Sequence, residues 1–524
     1  MQKNEPGTTD LRLAELIGAL SLATDLGMGK PMESALCSCV LSVRLGETLG
    51  LSESELHEIY YLSLLRHIGC NVEAPMMAAF VGDEIALRAN IATADYIHPT
   101  EMIGVMVRHF RQINEGATPF HLARMMAEGF WGMMRFMKDG SRAVCEVAER
   151  LAEQLGLGEN IQQALIQGNE RWDGRGLPYG IKGENIRLSV RVVALAQDTM
   201  LFHRMGGEEA AIGVAKEREG GAYDPRIVGC FCQQAPQLLS GLEQEPSWDA
   251  VLAMEPGARE YLSDTRFDAA CRAIADFTDL KTPYTLGHSS GVAELAALAA
   301  RQYGLPEADV VSIRRAGMLH DVGRTGISGG IWTKPGPLSD REWERVRMHS
   351  YYTERVLARP TTLARLGAIA ALHHERLDGS GYHRGLLASI SPAARILAAA
   401  DVYHAMTEPR AHRPARSPEE AADELQREVS AGKLDSDAAN AVLAAAGHRV
   451  CRTRRESVAG LSEREVEVLR LIARGHSMKE IAQLLVISQK TVDHHIQHIY
   501  NKIGISTRAA AALFAMQHDL IDVL

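Results

Sequence analysis

The sequence predicts an all-α protein: two tandem helical domains followed by a small four-helix module. Three observations carry this expectation. Alanine and leucine are abundant while aromatic residues make up only 5%, and Ala and Leu are among the residues that cost least in a helix. Apolar residues recur at helical spacing, and the period-two alternation that marks strands is scarce. The chain also repeats itself, four segments recurring in the same order.

Bulk properties set the outer limits. With 524 residues, 46% hydrophobic and 23% charged, the chain reads as soluble globular protein of several domains. A net charge of −10 argues against a nucleic-acid surface along the whole chain but leaves room for one local module. No basic start precedes an apolar run, and no stretch reaches the ~18–20 apolar residues of a membrane span; a cytoplasmic protein is expected. The eight cysteines, Cys37, Cys39, Cys70, Cys145, Cys230, Cys232, Cys271 and Cys451, form no C-x-x-C pair and read as small buried apolar residues.

The repeat defines the first two domains. AGMLHDVG at 316–323 matches LSLLRHIG at 62–69, each following a Gly-Leu (Gly304-Leu305, Gly50-Leu51) and a helical segment. HHERLDGSGYHRG at 373–385 matches GNERWDGRGLPYG at 168–180. An apolar helix containing arginine follows each, at 394–404 and 190–201, then a segment that opens E-E-A-A and closes G-x-x-D, at 419–435 and 208–224. The expected boundaries are 15–245 and 265–448, then a polar, basic linker at 449–460 and the last module at 461–524.

The copies differ in their polar residues. Five helices of the second copy turn a His or Asp toward the side where apolar residues belong. His288 precedes the stripe Val292, Leu295, Ala296, Ala299; His320 follows Ile313, Ala316, Gly317; His349 shares a face with Val346, Thr353, Val356; His373 follows Ile369 and Leu372. Ser391 as N-cap with Pro392 behind it starts a helix whose core face carries Asp401 and His404. Burying so many imidazoles and carboxylates without partners is costly, and a shared metal centre removes the conflict. In the first copy His320-Asp321 becomes Arg66-His67, His373-His374 becomes Gly168-Asn169, Asp401 becomes Gln197 and His288 becomes Ser34. That copy is expected to serve as scaffold, dimerisation surface or sensor.

These residues, with HDVGRTGI, KPGPLSDREWERVRMHS, HHERLDGSGY and ARILAAADVYHAM, resemble the HD superfamily of metal phosphohydrolases and its HD-GYP branch over about residues 282–447. The resemblance implies tandem HD-type helical domains, the first degenerate, and hydrolysis of cyclic dinucleotides, chiefly cyclic di-GMP. It implies two divalent metals, Fe or Mn. His288, His320, Asp321 and Asp401 would hold one, and Asp321, His349, His373 and His374 the other, with Asp321 bridging. Such a pair activates water for in-line attack on phosphorus. Asp321 and Arg324 are the expected catalytic residues, and Arg324, Gly381, Tyr382 and Arg395 the expected substrate contacts. The sequence departs from the branch at Arg324, where a lysine is usual, at His383, where the motif has proline, at His404, where an acid is common, and at Tyr284, whose lack of a carboxylate disfavours a third metal.

The last module opens with Ser462 and Glu465 as a capping box. Val466, Leu469, Ile472 and Ala473 face inward, Gly475 ends the first helix, and Ile481, Ala482 and Leu485 bury the second. Val486-Ile487 turn into Ser488, the N-cap of a third helix running to about Lys502, which is helix-turn-helix spacing. Residues 461–515 resemble the LuxR-type output domain. On that resemblance Ser488, Lys490, Thr491, Asp493 and His494 face DNA, Lys479, Lys490 and Lys502 meet phosphates, and Val492, Ile496 and Ile499 are core. The expected whole is a phosphodiesterase coupled to transcriptional regulation, acting as a homodimer on double-stranded DNA and away from membranes. The alternatives are a transcription factor whose HD site senses a nucleotide with little turnover, and an enzyme acting on another nucleotide, such as a cyclic mononucleotide.

Overall fold

Helix boundaries follow the capping residues of the sequence. Capping boxes formed by Ser52 with Glu55, Ser339 with Glu342 and Ser417 with Glu420 start Glu53–Leu65, Asp340–Leu357 and Pro418–Ser430. Ser391 caps Pro392–Thr407, with Pro392 at its first turn. Gly304, at φ +92°, closes His288–Tyr303 in the left-handed conformation that glycine adopts without penalty. The structure is a computed structural model that describes residues 8–113, 118–242, 247–385, 390–449, 459, 461–485, 487–518 and 520. The expected linker 449–460 lies almost wholly outside the described residues, as do Cys451 and Val486. The chain divides into two compact units, Met1–Arg449 and Val450–Leu524.

Within the first unit the two repeats follow the same path. The first runs Leu13–Gly27, Ser34–Thr48, Glu53–Leu65, a 3-10 turn Ile68–Glu73, Pro119–Gln154, Glu159–Ile166, Leu188–Glu217 and Pro225–Leu239. The second runs Asp264–Asp279, His288–Tyr303, Glu307–Leu319, a 3-10 turn Val322–Gly326, Asp340–Leu357, Thr361–Ala370, Pro392–Thr407, Pro418–Ser430 and Ser436–Ala445. The first repeat inserts Glu84–Ile91 and Pro99–Ile113 ahead of its long helix. It also runs as one kinked helix through Gly206 and Gly207 where the second breaks into two.

Two short strands accompany the helices of this all-α fold. The strands Thr8–Arg12 and Tyr261–Ser263 pair antiparallel, each directly ahead of the first helix of its repeat. They lie upstream of residues 15 and 265, and strands of five and three residues are too short to show alternation.

The helix Leu13–Gly27 lies between the repeats. Leu13, Leu16, Ile17, Leu20 and Ala23 are fully buried, and so are Ala14 and Ala19 on its other faces. A helix apolar on every side belongs in an interior, and this one packs on Glu53–Leu65 of its own repeat and on Val322–Gly326 and Asp340–Leu357 of the second. Polar groups bind the same seam. The Thr325 hydroxyl donates to the carbonyl of Ala23 at 3.0 Å. Lys281, of which 1% of the side chain is exposed, pairs with the wholly buried Glu84 at 2.9 Å and donates to the carbonyl of Thr325 at 3.1 Å. Glu84 in turn accepts from the Gly329 amide at 2.9 Å and the Ser328 hydroxyl at 2.7 Å. All free cysteines of this unit are buried or half-buried.

The second unit holds Glu463–Ala473, Met478–Leu484, Gln489–Ile503 and Arg508–Gln517. Leu461, Val468, Leu469, Ile472, Ile481, Ala482, Val492, Ile499, Ala511 and Ala515 form its core. Val466, expected in that core, is only partly buried against it, and Val468 takes the central place.

The Lys281–Glu84 pair joins the repeats where water cannot reach it. Glu84→Ala leaves a buried ammonium without its counter-charge and is expected to destabilise the first unit by ~3–5 kcal/mol. Denaturant titration followed by helical circular dichroism measures this, and a loss below ~1 kcal/mol would show that the pair contributes no more than a surface one.

Candidate functional site

The residues expected at the metals converge from five helices. His288 opens its helix after Gly287, and His320 and Asp321 stand where Glu307–Leu319 passes into the turn Val322–Gly326. His349 lies in the middle of Asp340–Leu357, His373 and His374 directly follow Thr361–Ala370, and Asp401 sits inside Pro392–Thr407. His374 keeps 24% of its side chain exposed, while the other six are buried.

Asp321 stands between two groups of donors. Its Oδ1 lies 3.6 Å from His349 Nε2 and 3.5 Å from His373 Nε2. Its Oδ2 lies 3.5 Å from His320 Nε2 and 3.9 Å from His288 Nε2. Asp401 reaches both groups, with Oδ1 3.2 Å from His288 Nε2 and Oδ2 3.9 Å from His374 Nδ1. His349, His373 and His374 form one tight cluster of candidate ligand atoms, and His288, His320 and Asp321 another.

Backbone contacts fix the ring tautomers. His320 Nδ1 lies 2.7 Å from the carbonyl of Gly317 and His373 Nδ1 2.7 Å from that of Ala370. His349 Nδ1 lies 2.5 Å from the carbonyl of Val346. A carbonyl only accepts, so each Nδ1 carries the proton and each Nε2 turns a lone pair inward. His349 and His373 bring two such nitrogens within 3.1 Å of each other. The Nε2 atom of His320 is buried without a hydrogen bond, and that of His288 faces Asp401 Oδ1 at 3.2 Å. Inward lone pairs beside two carboxylates are unfavourable alone and suit a divalent cation, so the donor set fits a metal.

The electrostatics agree with this. Burial pushes His349 down to about 3 and His374 well below the ordinary imidazole range. Burial opposes the charges of Asp321 and Asp401, yet Arg324 and His320 hold Asp321, and His288 and His320 hold Asp401, well below the usual carboxylate range. Burial would also lower His288, but contacts with Asp401 and Glu408 raise it to about 9. Bare of metal, that ring therefore keeps a proton that a cation would displace.

Glu408 and Arg410 were not legible as site residues. Glu408 lies 2.8 Å from His288 Nδ1 and turns Nε2 toward the cluster, while Arg410 holds Glu408 at 3.0 Å and donates to the carbonyl of Tyr284 at 2.6 Å. His404 Nδ1 lies 3.4 Å from both His288 Nδ1 and Glu408. It has room because Gly291 lacks a side chain: a Cβ there would sit 2.1 Å from His404 Nε2.

A cavity of about 670 Å3 opens beside this cluster. His288, Asp321, Arg324, His349, His374, Tyr382 and Asp401 line it, together with Trp332, Lys334 and Arg410, which the sequence did not single out. Arg324 pairs with Asp321 at 2.7 Å and lies 4.0 Å over the Trp332 ring. Two expected substrate contacts are elsewhere. Arg395 pairs with Asp435 at 3.2 Å, as Arg191 pairs with Asp224 at 2.7 Å in the first repeat, so it ties helices together. Gly381 supplies close packing: a Cβ there would meet the backbone of Glu375 and Arg376 within 2.5 Å. His383 turns to Glu354 at 2.8 Å.

Packing locates one further counterpart in the first repeat. Gly69 packs on the carbonyl of Val144 as Gly323 packs on that of His349, with 2.0 and 2.1 Å left for a Cβ, so Val144 stands where His349 does. In the second unit Lys479, Ser488, Lys490, Thr491, Asp493 and His494 are exposed. Val492 and Ile499 of the same helix are buried, and Ile496 is packed against them. Ser488 caps that helix. Lys502, also exposed, donates to the buried Glu465 at 2.6 Å, which ties the first helix to the third.

Comparison with known proteins matches residues 272–438 to the HD domain and 459–515 to the luxR family of bacterial regulatory proteins. A protein described as 3'3'-cGAMP-specific phosphodiesterase 3, from Vibrio cholerae serotype O1, is 32% identical over 415 residues, 77% of this chain and 88% of that protein. A cyclic di-GMP phosphodiesterase from Thermotoga maritima is 37% identical over 166 residues, 31% of this chain and 44% of that protein. The crystal structure of a cyclic GMP-AMP specific phosphodiesterase from V. cholerae superposes with a TM-score of 0.57 at 27% identity, covering 84% of this chain and 98% of that one. Among the described residues no helix is long and apolar enough to cross a membrane.

Glu408 touches His288 on the side away from the cluster. Glu408→Ala is expected to weaken metal binding by ~10–100-fold without abolishing it. Titration with Mn2+ measures this, and an unchanged affinity would show that His288 is oriented without Glu408.

Proposed function

The chain belongs to the HD-GYP-type metal-dependent phosphodiesterases and carries a luxR-family regulatory module, and from that premise we propose that it cleaves a cyclic dinucleotide at two divalent cations and binds double-stranded DNA. The observation that carries the reading is the Asp321 carboxylate, whose two oxygens face two separate groups of imidazoles. His288, His320, Asp321 and Asp401 would hold one cation, and Asp321, His349, His373 and His374 the other. Imidazole and carboxylate donors without thiolate suit iron or manganese. Bound there, the cations stabilise phosphoryl oxygens and activate water for in-line attack on phosphorus.

The chain's own residues do the rest. Asp321 and Asp401 remain ionised at neutral pH, and His349 and His374 remain neutral. Arg324, steadied by Asp321 and the Trp332 ring, has further N–H groups for a phosphate oxygen. It binds and orients the phosphate but is no proton donor at neutral pH. Tyr382 beside His374, with ring centroids 4.7 Å apart, offers an aromatic surface to a base. The relative that spans both repeats is named for 3'3'-cGAMP, which makes that dinucleotide the first candidate. Cyclic di-GMP is the second, supported by relatives that match about a third of the chain. The exposed face of Lys490, Thr491, Asp493 and His494 would enter the major groove. The protein would act in the cytoplasm as a homodimer, matching two half-sites.

Anaerobically purified protein is expected to carry about two iron or manganese ions per chain and to convert 3'3'-cGAMP, cyclic di-GMP or both to linear product. Asp321→Ala loses both metals together, and turnover falls by more than the ~100-fold typical of outer residues. Full metal content in that variant would sink the ligand assignment, and metal with no product from either dinucleotide would favour a sensor. Lys490→Ala is expected to weaken DNA binding across sequences and to reduce the slope of log affinity against log salt by ~1; an unchanged slope would take Lys490 off the phosphates.

A further inference from the structure

The first repeat has lost its metal ligands but kept a hollow in their place. Two adjoining cavities of about 540 and 340 Å3 share Arg66, Met77, Tyr96, Asn169, Arg171 and Asp198 in their walls. Both volumes fall in the ~300–1,000 Å3 range of small-molecule sites. Arg66 stands there where the second repeat has His320, and Asn169 where it has His374.

The carboxylates of the ligand positions are gone. Asp321 and Asp401, the carboxylates of the second repeat, are replaced by His67 and Gln197, and fixed cations stand beside them. Arg66 donates from Nε to the carbonyl of Gly168 at 3.0 Å and from Nη1 to Gln197 at 2.8 Å. Lys30 Nζ lies 3.2 Å from His67 Nε2. Neither cation has a carboxylate at ion-pair distance among the described residues, whereas the others around the hollow do. Arg171 clamps Asp95 at 2.9 and 3.1 Å, Arg88 meets Glu73 at 3.1 Å, and Arg218 meets Asp198 at 3.2 Å. Burial pushes both Lys30 and Arg66 below their ordinary ranges, with Asp25 and Asp198 acting on them from beyond contact. Buried cations without a contacting carboxylate are costly, and an anionic ligand would relieve that cost. The larger cavity is also lined by Met77, Ile91, Met102 and Met106, with Tyr96 among them.

We propose that this hollow binds a phosphorylated nucleotide, with Lys30 and Arg66 on the phosphate and the methionine and tyrosine wall on the base. No imidazole–carboxylate cluster surrounds it among the described residues, so it holds its ligand without cleaving it. The proposal is independent of which dinucleotide the second repeat cleaves.

The test is hydrogen–deuterium exchange on the full-length, metal-loaded chain, with GMP as probe. Protection is expected in residues 66–77 and 91–106, at a GMP midpoint raised at least about tenfold in Arg66→Gln and in Lys30→Gln, because each removes a charge-assisted contact. Arg66 also holds the backbone at Gly168, so Lys30→Gln decides the matter if the arginine variant does not fold. Protection confined to residues 320–410, protection nowhere, or a midpoint unmoved by Lys30→Gln would each overturn the proposal. Inorganic phosphate giving the same protection at the same concentration would overturn the assignment to a nucleotide.

Discussion

Everything in the second repeat is arranged around one carboxylate that must serve two sides at once. Asp321 can face His349 and His373 with one oxygen and His288 and His320 with the other only if five helices end or pass within a few ångströms of it. That demand explains the small residues nearby. Gly323 lets the 3-10 turn sit against the helix bearing His349, and Gly317 lets the helix bearing His320 sit against the backbone of Ala293. It also explains the backbone carbonyls beneath three of the rings, since a lone pair aimed at a cation is useful only if the ring cannot rotate.

Much of this was legible in the sequence, for a definite reason. Each ligand sits on its own amphipathic helix, so the departure of one polar residue from an apolar face can be seen locally. What escaped depended on contacts between distant segments. Glu408 and Arg410 lie just beyond a helix end, where no periodicity marks them, and only the fold shows that they stand behind His288. Val144 could not be aligned with His349 because 36 residues of one helix carry no marker motif there. The two strands were too short to show a pattern. Arg395 is a substrate contact only by the resemblance, and its pairing with Asp435 depends on a segment 40 residues away. The contact of Lys502 with Glu465 is hidden in the same way, since Glu465 reads in the sequence only as a helix cap.

The duplication separates fold from chemistry. The loop after Glu170 closes as the loop after Glu375 does. Glu170 accepts from the amides of Tyr179 and Ile181, and Glu375 from those of Arg384 and Gly385. Gly176 and Gly381 each press onto the backbone that follows the lost or retained ligands. The loop is therefore kept for its own packing. One scaffold carries buried carboxylates among imidazoles in one copy, and in the other two cations with no carboxylate at ion-pair distance among the described residues.

The seam between the copies bears on how such a protein can be taken apart, by an experimenter or by evolution. The helix Leu13–Gly27 is interior to both halves, and the turn that follows His320 and Asp321 rests on it through Thr325. A fragment starting near residue 265 would leave Lys281 in an apolar interior without Glu84 and the 3-10 turn without its support. The second repeat is thus not a portable cassette. The first repeat is the other half of a single foldable object, held to its partner by the face it turns to it.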